Sequence, residues 1–289
     1  MRSLAITVAA LVLSLLGAVN CGPTPPPGSG GAGGTAGTGG SGGGGAFPPV
    51  SDFGAPGPYA AVRVNETGPG NTFTLFRPTQ LGQGGVRHPI ITWGNGTFVT
   101  PDAYAAFLTH LATHGFVVIA SNNTNTGSGV QMLQGVDWLL QQNAGSGEFA
   151  GKLDPNRIGA TGHSQGGGGT INAGADPRIK TVVPIQPVPQ TQRLNGPMLL
   201  LCGKEDTTID PITLCQNGVY NPATVPTFFG IVTPVNHITP LNTAGPLREP
   251  ITAWFRLHLM GDETARGSFY GANCKYCGDA NWQVFRKGL

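Results

Sequence analysis

Charged side chains are scarce in this chain. Lys and Arg number 16 and Asp and Glu 14 in 289 residues, giving a formal net charge of +2, and the basic residues are scattered singly. Such a balance lacks the basic face that phosphate neutralisation requires and the polybasic cluster that electrostatic membrane attachment needs. Nucleic acid is thereby excluded as a partner. Long apolar runs are also few. The segment 4–18 behind Arg2 is shorter than the about 20 residues of a membrane-spanning helix and has the layout of a secretory signal. There are only five cysteines, and Cys274-Lys275-Tyr276-Cys277 has no second Cys/His pair with which to complete a zinc site. His110-Leu111-Ala112-Thr113-His114 lacks the glutamate that a zinc protease places between its histidines, so these two residues are expected on a solvated helix face. No motif implies a cofactor.

Glycine, by contrast, is abundant, with 47 residues beside 25 prolines. Much of it lies in a tract of Gly, Pro, Ser, Thr and Ala over 22–46, which cannot bury a core and is expected to be a flexible linker. The expected organisation is a signal segment over 1–20, a linker over 21–46 and one globular domain over 47–289. A signal that ends in a cysteine and a tether resembles a bacterial lipoprotein, with Cys21 as the lipidated residue. Asn20 stands where Gly, Ala or Ser usually precedes that cysteine. Cleavage near Ala18 without lipidation, or an uncleaved anchor, is the alternative. Export to the cell envelope or beyond follows from either form of cleavage. Cys202, Cys215, Cys274 and Cys277 then form an even set in an oxidising compartment. Four cysteines allow three connectivities; the local pairs Cys202 with Cys215 and Cys274 with Cys277 are favoured over the others.

Within the domain, strand-like and helix-like segments alternate. Strands are expected at 59–64, 72–76, 89–93, 116–120, 157–161, 181–185, 198–201 and 228–232. Helices are expected from Pro101, capped by Thr100, to about His114, then on the face of Val130, Leu133, Val136, Leu139 and Leu140, then from the segment after Ser164 to about Ala175, and last over 246–259. This alternation implies an α/β fold with a mostly parallel sheet covered on both faces and no large lid. Reactive groups then gather at the carboxyl ends of the strands.

Gly162-His163-Ser164-Gln165-Gly166 follows one of these strands and has the form of a nucleophile elbow, in which the serine sits on a sharp strand-to-helix turn. In a chain so rich in glycine the five-residue pattern alone is weak; its placement gives it weight. A serine hydroxyl needs a base, and the base needs an acid that fixes its tautomer. Asp206 follows the strand 198–201, and His237 follows the strand 228–232, in the chain order of an α/β-hydrolase triad. Glu205 and Asp210 are rival acids, and His258 is the rival base within the closing helix. The two oxyanion donors are expected from Gln165 and from the loop Gly94-Asn95-Gly96-Thr97-Phe98.

The segments Leu111-Ala112-Thr113-His114-Gly115-Phe116-Val117-Val118-Ile119, Gly151-Lys152-Leu153-Asp154, Gly162 to Gly169 and Ala253-Trp254-Phe255-Arg256 resemble the bacterial polyester hydrolases and cutinases, a group of the α/β-hydrolase superfamily that includes poly(ethylene terephthalate) hydrolases. The resemblance implies Ser164 as nucleophile, Asp206 as acid, His237 as base and the amides of Thr97 and Gln165 as the oxyanion hole. It implies Phe98, His163 and Val188 as substrate contacts, and an ester or polyester as substrate. Thr97 stands where the family usually carries an aromatic residue, Val188 where it carries tryptophan and Gln165 where it carries methionine. One extra residue separates Asp206 from Pro211. The expectation is therefore a monomeric serine ester hydrolase on short-chain esters and polyesters, touching a membrane only through a lipid on Cys21. A carbohydrate esterase or aliphatic polyester depolymerase on the same scaffold and a surface binding lipoprotein are the alternatives.

Overall fold

In the computed structural model the strands order as β1-β2-β4-β3-β5-β6-β7-β8-β9 in a single sheet. In chain order these are β1 (Ala61–Thr67), β2 (Phe73–Pro78), β3 (His88–Gly94), β4 (Val117–Ser121), β5 (Leu153–His163), β6 (Ile179–Ile185), β7 (Met198–Gly203), β8 (Thr227–Val232) and β9 (Trp282–Lys287). The helices are α1 (Ala105–Thr113), α2 (Val130–Ala144), α3 (Gln165–Ala173) and α4 (Arg248–Phe255). The structure describes residues 45–289. The signal segment 1–20, Cys21 and all but the last two residues of the linker lie outside the described residues. Gly45, expected within the linker, donates its N–H to the Gly85 carbonyl at 3.0 Å.

From β4 through β3, β5, β6 and β7 to β8 the strands pair in parallel, whereas β1, β2 and β9 pair antiparallel at the two edges. The parallel strands read as unbroken apolar runs because both of their faces are covered. On β7, Leu199 and Leu201 pack toward Phe107, Trp254 and Phe255, whereas Met198, Leu200 and Cys202 pack toward Met132, Val136 and Ile171. The period of two thus divides one apolar run between two cores, one under α1 and α4 and the other under α2 and α3. The result is the expected α/β architecture.

Several boundaries differ from the expectation. Pro101 opens a 3-10 turn, Pro101–Tyr104, before α1 begins at Ala105, and the Thr100 hydroxyl meets the Asp102 carboxylate instead of capping the backbone. On α2, Val130 is 53% exposed, and the buried stripe is Met132, Gly135, Val136 and Leu139. The closing helix runs α-helical only to Phe255 and continues as a wider π turn, Arg256–Met260. The longest elements not expected are the π-helix Pro211–Tyr220, the edge strand β9 and the 3-10 helix Glu263–Ser268. Among the described residues no helix is long and apolar enough to cross a membrane.

Both local cysteine pairs are bridged, Cys202 with Cys215 and Cys274 with Cys277. The first bridge ties the end of β7 to the π-helix and so closes the loop that carries Asp206. His110 and His114 correct the expectation of a solvated face: they are 6% and 0% exposed and lie 4.7 Å apart between ring centroids. His110 meets the Phe53 carbonyl and the Thr252 hydroxyl, and His114 meets the Ala55 carbonyl. Burial, reinforced at His110 by the neighbouring His114 and Arg248, pushes both rings down to about 4. His258 packs on Trp254 with centroids 4.3 Å apart and is likewise lowered to about 4, mainly by burial.

Candidate active site

The chain turns sharply between β5 and α3, and Ser164 takes a strained positive-φ conformation there, φ 57° and ψ −118°. A non-glycine residue held in that region costs on the order of 1–3 kcal/mol, so its surroundings must enforce it. They do so through the backbone. The Ser164 N–H donates to the Ile185 carbonyl at 3.0 Å, and the Ser164 carbonyl accepts from Gly168 and Val188 at 3.1 and 3.0 Å. The turn also brings chain segments too close for side chains. A Cβ on Gly162 would lie 2.4 Å from the Gly166 carbonyl oxygen, and one on Gly166 would lie 2.1 Å from that of Gly94. The flanking glycines are thus required by contact distance.

The three chain-distant candidates converge on this turn. His237 Nε2 is 3.1 Å from Ser164 Oγ, and His237 Nδ1 is 2.8 Å from Asp206 Oδ2. The other carboxylate oxygen, Oδ1, accepts the backbone N–H groups of Thr208 and Ile209, both at 2.8 Å. Asp206 is 3% exposed and therefore has its orientation fixed at both oxygens, while the His237 side chain keeps 22% of its surface open. The rival acids are engaged elsewhere. Glu205 accepts the Val235 N–H at 2.7 Å, which steadies the segment before His237. Asp210 caps the π-helix by accepting from Ile212 and Thr213. His258 lies in the closing helix stack and not beside Ser164.

Gln165 is the first residue of α3, so its amide is one of those that a helix start leaves without an intrahelical partner. Its side chain does a separate job, accepting the Thr126 N–H at 3.0 Å. Thr97 lies exposed on the turn after β3. That turn is anchored from below by Asn95, which is fully buried, accepts Trp93 Nε1–H at 3.0 Å and donates to the carbonyls of Ser121 and Asn123. Phe98 is 87% exposed and Val188 39%.

His163 is placed differently from the other two expected substrate contacts. It is 4% exposed, with its ring 4.8 Å from the His237 ring between centroids. Burial, with His237 as the second cause, pushes it down to about 3. It is therefore a neutral ring beneath the base, not an open face beside Phe98 and Val188. Two side chains around it were absent from the sequence expectation. Tyr104 Oη is 3.0 Å from His163 Nδ1, and Gln186, at φ 44° and fully buried, donates its Nε2–H to the Asn236 carbonyl at 2.9 Å. Gln186 carried a legible signal, a polar residue ending an apolar strand. Tyr104 carried none.

A mostly parallel sheet with a strained serine after β5, a carboxylate after β7 and a histidine after β8 defines an α/β-hydrolase. A family model described as PET hydrolase-like matches residues 54–275, and the chain belongs to that family. It is 24% identical over 207 residues to the bis(hydroxyethyl) terephthalate hydrolase of Streptomyces coelicolor, covering 68% of this chain and 64% of that protein. It is 32% identical over 125 residues to cutinase est2 of Thermobifida alba, covering 40% and 41%, and 29% identical over 119 residues to cutinase 2 of Thermobifida cellulosilytica, covering 38% and 45%. The chain thus spans just under two thirds of the first of these relatives and less than half of the two cutinases.

Proposed function

We propose that this protein is a serine carboxylic-ester hydrolase. The observation that carries the proposal is the continuous contact from Asp206 Oδ2 through His237 to Ser164 Oγ, with steps of 2.8 and 3.1 Å at a strained elbow. His237 Nε2 takes the Ser164 proton as Oγ attacks the ester carbonyl, and Asp206 holds the Nδ1–H and stabilises the imidazolium that forms. The amides of Thr97 and Gln165 receive the developing oxyanion. His237 then protonates the leaving alkoxide. Water, activated by the same base, releases the acyl group from Ser164. Membership of the PET hydrolase-like family supports ester cleavage, as do the relatives named for terephthalate ester and cutin hydrolysis.

The substrates proposed are short-chain esters and aliphatic polyesters. Thr97 and Val188 offer no aromatic face, and each lost stacking contact removes on the order of 1 kcal/mol of grip on an aromatic acyl group. Phe98, Val188 and Ile238 are nevertheless open at 87%, 39% and 66%, and adjoin Thr97, the Ser164 carbonyl and His237 in turn. That apolar rim favours an aliphatic chain over a carbohydrate. Export of a monomer, with Cys21 as the lipid attachment point, completes the proposal; the two disulfides support an oxidising compartment. The test is turnover of p-nitrophenyl esters of increasing chain length, an aliphatic polyester film and an aromatic polyester film, each with Ser164→Ala alongside. Loss of all turnover in Ser164→Ala and a preference for aliphatic over aromatic film are expected. Activity on short soluble esters alone overturns the polyester part.

A further inference from the structure

Beneath Ser164 a buried chain of polar groups joins the loop after β3 to the loop after β8. The Gly96 N–H donates to Tyr104 Oη at 3.1 Å. Because that oxygen is already accepting, the Tyr104 proton is free to go to His163 Nδ1, 3.0 Å away. Nδ1 must then offer a lone pair, which leaves the His163 proton on Nε2. Nε2 is buried without a partner at hydrogen-bonding geometry, and so is Gln186 Oε1. Gln186, which directly follows β6, the strand beside the elbow, donates its Nε2–H to the Asn236 carbonyl at 2.9 Å, next to the base His237. The ring stack of His163 on His237 is a second contact with the same loop.

We infer that Tyr104 and His163 are positioning residues that set the oxyanion loop and the base loop in register with each other, through the hydrogen bonds from Gly96 to Tyr104 and Tyr104 to His163 and the packing of the His163 ring on His237. This rests on the proposed hydrolase reading. Gly96 immediately precedes Thr97, so a shift of the Gly96 amide moves the proposed oxyanion donor; Gln165, through Thr126, holds the same loop at Asn95 from the other side of the nucleophile. The space is closed on both sides: a Cβ on Gly96 would lie 2.9 Å from Tyr104 Oη and 3.2 Å from His163 Nδ1. Tyr104 is fully buried, and its ring lies 4.7 Å from that of Trp93. Packing thus holds the tyrosine ring independently of its hydroxyl. His163 also stays neutral while His237 gains its proton, so no second cation faces the imidazolium; its pKa of about 3 keeps it so across the working range.

The experiment removes the links one at a time. Tyr104→Phe keeps the packed ring and deletes only the hydroxyl. It is expected to lower kcat on p-nitrophenyl butyrate about tenfold, less than the loss of a whole oxyanion donor, with KM within about twofold of wild type. His163→Leu breaks the same chain and is expected to fall comparably, and the double variant no further than either single one, since they share one function. His163→Asn, whose Oδ1 can take the Tyr104 proton in place of Nδ1, is expected to recover most of the loss. Binding of phenylboronic acid, whose tetrahedral adduct places an oxygen in the oxyanion hole, is expected to weaken in step with kcat. A folded Tyr104→Phe with wild-type kcat overturns the inference. So do multiplicative losses in the double variant, or a lowered kcat with unchanged boronate binding. Should Tyr104→Phe not fold, the comparison of His163→Leu with His163→Asn decides, and equal losses in those two overturn the inference. Ser164→Ala is assayed in parallel: if it retains turnover, the hydrolase mechanism itself fails, an outcome separate from the failure of the positioning chain.

Discussion

Replacing Asp206 by Asn changes one atom and is expected to disable the base. Oδ1 of the aspartate accepts two backbone N–H groups, from Thr208 and Ile209, both at 2.8 Å, while Oδ2 faces His237 Nδ1 at 2.8 Å. An asparagine there has two orientations. With its NH2 toward the two amides, it opposes donor to donor and leaves the buried Ile209 N–H and the half-buried Thr208 N–H unpaired, at about 1–3 kcal/mol for the buried one. The oxygen therefore stays with the amides, and the NH2 turns to His237. Nδ1 must then accept, the imidazole proton moves to Nε2, and no lone pair remains for the Ser164 proton. The wrong tautomer costs about 10⁴ in kcat in an established serine protease triad, and the same order is expected here. Steady-state turnover of a p-nitrophenyl ester by Asp206→Asn, with a thermal melt to show that the fold persists, measures it. Asp210→Asn serves as the comparison, since Asp210 only caps the π-helix. A folded Asp206→Asn within tenfold of wild type, or a greater loss in Asp210→Asn, refutes the assignment.

Acid should unfold the protein through its buried histidines. His110 and His114 are held neutral at about 4 against an ordinary 6.5, so the unfolded chain binds more protons as pH falls through that window. Their stabilisation is complete above pH 6.5 and is lost progressively toward pH 4; at pH 5 it is about 2 kcal/mol lower per ring, or about 10 °C in Tm for the pair in a domain of this size. Melting curves between pH 7.5 and 4.5 check this, and a Tm independent of pH there counts against it, as does an undiminished slope in a His110→Gln, His114→Gln double variant. Cys202 and Cys215 are 13 residues apart, and replacing both by Ala is expected to cost about 3 kcal/mol by removing a chain constraint; calorimetry measures it, and an unchanged Tm contradicts it. On the proposed reading, in which Thr97 and Val188 stand in place of two aromatic grips, Thr97→Tyr with Val188→Trp is expected to raise product release from aromatic polyester film about fivefold per contact, while soluble ester turnover stays near wild type. No gain on the film removes the explanation offered for substrate preference.

The sheet, and the meeting of Ser164, His237 and Asp206 at one end of it, were largely legible in the sequence because each depends on local signals. The parallel strands are unbroken apolar runs, and Ser164, Asp206 and His237 each follow one of them. What escaped notice lacks that locality. The helix Pro211–Tyr220 has a clear Asp210 cap, but its bonds reach five residues back, as from Cys215 to Asp210 and Asn221 to Gln216, so its apolar residues do not fall on a 3.6-residue period. β9 is an edge strand that carries Gln283, Arg286 and Lys287, and only pairing with β8 makes it a strand. His110 and His114 were expected in solvent because histidine is polar, yet they share the stripe of Phe107 and Leu111, both fully buried. Spacing outranked polarity there. Tyr104 and His163 meet across 59 residues, and nothing in either segment anticipates the other.

The most direct test of the central claim is covalent. A fluorophosphonate reacts with a serine only where a base removes its proton and an oxyanion hole receives the P–O oxygen, so it probes the whole site at once. Incubation of the full chain, intact-mass analysis and peptide mapping, with residual esterase activity followed in the same samples, form the measurement. One adduct on Ser164, with activity lost in proportion to labelling and no labelling in Ser164→Ala, is the predicted result. A folded protein that turns over esters while Ser164 stays unlabelled, or is labelled without loss of activity, contradicts the account.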